Sequence, residues 1–186
     1  MTNGAKAAVA MAAAVAILAA ASQAAIPIGP VPITMQTLAV TLAGALLGAR
    51  WGTFAILVWL TLAALGLPLL AEGAGGIEAF SGPTAGYLFA FPAAAAVVGL
   101  LSESGWNGAH PARAFAAMLV GNAICLLLGW AWLALNIGPV TAWEAGVRPF
   151  LPGALVKSAL GTLILWFAPH FQIAVPFNGA RSSRGE

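Results

Sequence analysis

The sequence predicts an all-α integral membrane protein built as a bundle of six transmembrane helices. Three observations carry that expectation. First, 61% of the 186 residues are hydrophobic and 6% are charged, whereas a soluble domain carries about a quarter charged residues. Second, the apolar residues fall into runs at about 5–25, 35–49, 51–70, 84–101, 114–137 and 149–171. At about 1.5 Å per residue most of these are long enough to cross a hydrocarbon core of about 30 Å. Third, the prolines, glycines and charges gather in the breaks between runs, as a chain alternating between lipid and water requires. Residues 1–186 form a single membrane domain with a polar tail at 178–186.

The first run is rich in alanine, and Ala8, Ala12, Ala16 and Ala20 recur at every fourth position. They form a smooth stripe against which another helix can pack closely. Residues 26–34, IPIGPVPIT, hold Pro27, Pro30 and Pro32 and end that helix in a short loop. In the second run Thr34, Thr37 and Thr41 share one helical face, with Gln36 beside them. Hydroxyls and an amide at membrane depth turn toward the bundle or a cavity, or bond back to their own helix. Gly48-Ala49-Arg50 forms a tight turn into the third run. The segment 71–83, AEGAGGIEAFSGP, follows as a glycine-rich loop whose Gly82-Pro83-Thr84 starts the fourth helix. The fifth run carries Asn122 and the sixth carries Lys157.

An even number of spans places both termini on one side. Lys6, Arg50, Arg113, Arg181 and Arg184 fall on that side, and Arg148 falls opposite. Both termini are therefore expected in the cytoplasm, with loops 26–34, 71–83 and 138–148 outside.

Lys157 is the leading site residue, because a cation inside a span costs several kcal/mol unless it is paired, reaches water or faces a ligand. Pro149 and Pro152 suit a first helical turn whose free N–H groups favour an anion, and Arg148 adds a positive charge there. Gln36, Asn122 and Tyr87 can donate and accept hydrogen bonds. Such a set fits a small amphipathic molecule with one carboxylate.

Other chemistry is excluded or poorly served. The sequence holds no Asp, and Glu72, Glu78, Glu103, Glu144 and Glu186 all lie in loops or the tail, so no catalytic carboxylate pair forms at membrane depth. Without a nucleophile or an acid/base pair there, an intramembrane enzyme is the weaker alternative. A purely structural scaffold leaves Gln36, Asn122 and Lys157 unexplained. His110 and His170 lack companions at metal spacing, so no metal and no cofactor is expected. Cys125 is alone in an apolar run, and the cations are too few and too scattered for nucleic acid.

Several ordered motifs resemble one family. PVPITMQTLAV (Pro30–Val40), LAGALLGARWG (Leu42–Gly52), GLPLLAEGAGG (Gly66–Gly76), GPTAGYLFAFP (Gly82–Pro92) and RPFLPGALVK (Arg148–Lys157) are collinear with the BioY family. Its members are the biotin-binding S components of energy-coupling-factor (ECF) transporters. The resemblance implies a six-helix protein of the bacterial cell membrane that captures biotin from outside, near the external ends of helices four to six. It implies a transmembrane coupling subunit and an ATPase pair as partners, the first helix with Ala8, Ala12, Ala16 and Ala20 meeting the coupling subunit. Its motif residues map to Gly82, Pro83, Thr84, Gly86 and Tyr87, and to Pro152, Gly153 and Lys157. The expected binding set is Lys157, Arg148, Tyr87, Asn122, Gln36, Thr34, Gly82, Pro83, Thr84 and Gly153. Another small carboxylated vitamin is the alternative ligand. Two positions depart from the family pattern: Ala154 stands where an acidic residue is common, and Ala85 where glycine is usual.

Overall fold

The computed structural model describes residues 3–27 and 29–168, with side chains from residue 8 onward. The expected tail 178–186, with His170, Arg181 and Arg184 among the terminal residues, lies outside the described residues, as does the Lys6 side chain.

Helix α1, Asn3–Gln23, turns Leu18 and Ser22 into the bundle and leaves Ala8, Ala12, Ala16 and Ala20 on its exposed side. Strands β1, Ala25–Ile26, and β2, Ile33–Thr34, pair antiparallel. They close a small hairpin whose tip carries the prolines, where missing N–H donors and fixed φ prevent longer pairing.

Helix α2, Gln36–Ala64, is interrupted at Gly48, which takes φ 81 and ψ 170. That conformation strains any residue with a Cβ. Helix α3, Ala85–Glu103, secures the break from its end. Glu103 Oε1 accepts the Ala49 N–H at 2.9 Å, and Ser102 Oγ donates to the Ala45 carbonyl at 3.0 Å. The two helices come close enough at Gly44 and Gly99 that a Cβ on either would collide with the other's backbone, at Ala95 and Ala49 respectively. Small residues supply this close approach, since lipid offers no hydrophobic drive for helix association.

The helix ends at Ala64 rather than continuing to residue 70, because Gly66 turns at φ 100 and Pro68 follows. Residues beyond it fold back over the bundle end through two 3-10 turns, Ala71–Gly73 and Ile77–Phe80. The Gly76 N–H donates to the Ala63 carbonyl at 2.8 Å and Trp59 Nε1 to the Leu69 carbonyl at 3.1 Å, so this cover is fastened.

Helix α4, Pro111–Ile137, is followed by the short α5, Pro139–Gly146, and, after a 3-10 turn at Arg148–Phe150, by α6, Leu151–Phe167. Trp59 and Phe91, both buried, stack at 5.9 Å in the core between α2 and α3. Among the described residues, Gln36–Ala64, Ala85–Glu103, Pro111–Ile137 and Pro139–Phe167 are long and apolar enough to cross a membrane, and Ala8–Gln23 is a shorter apolar helix. The chain is a multi-pass membrane protein.

Candidate functional site

A cavity of about 250 Å³ opens beneath the hairpin tip and the covering turns. Its walls come from α2, α3, α4 and α6, and Val31, Leu70, Leu88, Phe91, Cys125 and Phe150 give it a mainly apolar lining. Pockets for small organic molecules have this composition, with a few polar groups that fix orientation.

Lys157 reaches the cavity from the second turn of α6 with 8% of its surface exposed. Its ammonium donates to Thr37 Oγ1 at 3.1 Å, and no carboxylate pairs with it among the described residues. An ammonium has three donors, so two remain for a ligand.

Asn122, on α4, directs its Nδ2 to the Met118 carbonyl at 3.0 Å and to Ser158 Oγ at 3.2 Å. Its Oδ1 has no hydrogen-bond donor among the described residues, which leaves a free acceptor at the cavity wall. Ser158 is the neighbour of Lys157 along α6, so a spare donor and a spare acceptor belong to adjacent parts of the wall.

Gln36 is held from both sides. Thr34 Oγ1 donates to its Oε1 at 3.0 Å, and its Nε2 donates to Ser22 Oγ at 3.1 Å, which ties α1 to the start of α2. Tyr87 presents its ring to the cavity while its hydroxyl donates to the Gly146 carbonyl at 2.6 Å. The ring fits there because Gly129 has no side chain: a Cβ at that position would fall on it. Pro83 and Thr84 line the cavity at the start of α3.

Lys157, Tyr87, Asn122, Gln36, Thr34, Pro83 and Thr84 thus share one cavity. Arg148, Gly82 and Gly153 do not line it. Arg148 is exposed and bonded to Glu144 at 2.6 Å, an ion pair between residues one helical turn apart. The Gly82 carbonyl accepts from Trp132 Nε1 at 3.0 Å, anchoring the α3 start to α4. Gly153 lies in the first turn of α6 with open space beside it.

The BioY family model matches residues 1–172. This chain belongs to the BioY family. It is 39% identical over 150 residues to the probable biotin transporter BioY of Pyrococcus horikoshii, covering 81% of this chain and 88% of that one. It is 41% identical over 153 residues to the biotin transporter BioY of Rhodobacter capsulatus, covering 75% and 80% respectively. The S-component for biotin from an ECF-type ABC transporter superposes with a TM-score of 0.81 at 29% identity, covering 91% of this chain and 95% of that one.

Two cavity residues of this BioY chain carry polar groups that its expected binding set lacks. Thr37 shares the helical face of Thr34 in the sequence, but only the packing of α6 against α2 makes it the partner of Lys157. Thr41, on the same face, bonds back to the Thr37 and Leu38 carbonyls of its own helix. Glu72 joins the lining because the covering turn folds over the cavity.

Proposed function

We propose that this chain is the substrate-capture subunit of an ECF-type vitamin transporter and that its cavity takes biotin from the outer side of the cell membrane. Family membership and relatives named biotin transporter support the ligand class. The observation that carries it in the geometry is the pairing of a buried, unneutralised ammonium at Lys157 with a free acceptor at Asn122 Oδ1.

The ureido group of biotin has one oxygen flanked by two N–H groups. The oxygen takes the spare donors of Lys157, and an N–H finds Asn122 Oδ1. Charge-assisted hydrogen bonds of this kind contribute about 1.5–3 kcal/mol each. Phe91, Leu88 and the Tyr87 ring cover the apolar ring edge and alkyl chain. Ala154 beside this group leaves α6 without an acid, and Asn122 supplies the acceptor instead.

Six crossings with both termini in the cytoplasm fit the Gly48 break in α2 and the cation distribution. The exposed Ala8, Ala12, Ala16 and Ala20 on α1 offer a smooth face to a transmembrane coupling subunit. An ATPase pair drives uptake through that subunit. The chain itself acts as a binding subunit and not as an enzyme, since among the described residues neither a histidine nor a pair of carboxylates lines the cavity to serve as acid and base.

Calorimetric titration of the detergent-solubilised protein tests this. Saturable, tight binding of biotin is expected. No heat with biotin, alongside binding of a different carboxylated vitamin, overturns the ligand assignment.

A further inference from the structure

The covering loop contains the one non-glycine residue with positive φ among the described residues, Glu72 at φ 57 and ψ 26. The other left-handed positions nearby, Gly66, Gly73 and Gly76, are glycine, because a Cβ there crowds the following carbonyl. Glutamate lacks the short polar side chain that lets Asn or Asp bond locally in this conformation. Nor does the carboxylate of Glu72 compensate through a partner, since it has no hydrogen bond or ion pair among the described residues. Strain held at a binding site without local recompense points to a role there.

Glu72 lines the cavity, and among the described residues the only other charged one that does so is Lys157. The two differ in setting: Lys157 is buried on α6, whereas Glu72 is exposed on the covering turn. The cavity therefore has a positive inner end and a negative outer end.

We infer that Glu72 selects for the tail of the ligand: the cavity favours biotin amides with a neutral or cationic tail over biotin with a free carboxylate. This rests on the orientation above, in which Lys157 and Asn122 take the ureido group. The opposite end of the ligand then lies toward the covering turn. A free carboxylate there meets the Glu72 carboxylate, and like charges disfavour it. An amide removes that repulsion, and an amine carried on the amide replaces it with attraction. Because the turn is exposed, a tail can extend from the cavity into water.

Titration calorimetry with three probes tests the inference: biotin, biotinamide and N-(2-aminoethyl)biotinamide, each against the unmodified protein and Glu72→Gln. The unmodified protein is expected to bind the aminoethyl amide tightest and biotin weakest, with steps of about two- to fivefold for an exposed charge contact. In Glu72→Gln biotin is expected to tighten and the aminoethyl amide to weaken, so that the differences shrink, and added salt should shrink them in the unmodified protein too. Biotin binding tighter than both amides, or differences between the probes that Glu72→Gln leaves undiminished, overturns the inference alone. No binding of any probe to the unmodified protein overturns the ligand assignment and this inference with it.

Discussion

Lys157 can be singled out from the sequence because lipid penalises a lone cation wherever it points, so its presence in a span demands a reason. What that reason is depends on neighbours far along the chain. Thr37 holds one ammonium hydrogen, and Asn122 stands with a free oxygen because Met118 and Ser158 use both of its N–H groups. Lys157→Ala is expected to weaken biotin binding by at least about 1.5 kcal/mol, the lower end for a hydrogen bond to a charged group. Calorimetry giving the same affinity as the unmodified protein would make the ammonium a structural group. Arg148 shows the opposite outcome. Its place just before Pro149 makes it a sequence candidate, yet Glu144 one helical turn earlier takes its charge at the surface.

Helix existence is set by local composition, but helix contact is set by where side chains are missing. Gly129 illustrates this, since its lack of a Cβ admits the Tyr87 ring from α3 and thereby shapes a wall of the cavity. Gly129→Val is expected to cost about 1–3 kcal/mol through overpacking, seen as a lower melting temperature in detergent, and to weaken biotin binding by displacing Tyr87. A variant with unchanged melting and affinity would show that α3 and α4 separate here without effect. Gly48 is the complementary case. A left-handed glycine was readable as a turn from the Gly-Ala-Arg triplet, whereas its support by Glu103 from the far end of α3 was not, because nothing local links those residues.

Across the whole molecule the two proposed functions, ligand capture and partner docking, occupy different surfaces. The cavity lies under the hairpin and covering turns, while the alanine stripe of α1 faces away from the bundle. Ala16→Leu is expected to reduce co-purification with the coupling subunit and biotin uptake by cells while leaving biotin affinity in detergent unchanged. A loss of affinity in the isolated subunit would instead tie α1 to the cavity, through the Ser22 to Gln36 hydrogen bond. Uptake and complex formation at ordinary levels would release the stripe from partner docking.

The sequence by itself determined that this protein is a helical membrane protein of the BioY family with a cation at depth. Those conclusions follow from composition, run length and ordered local motifs, and each is a property of consecutive residues. Only the tertiary structure decided that Lys157, Asn122, Thr37 and Glu72 line one cavity while Arg148, Gly82 and Gly153 do not. The physical reason is that a cavity is made where helices distant in sequence fail to fill the space between them, and the chain's local preferences carry no record of which helix will be the neighbour.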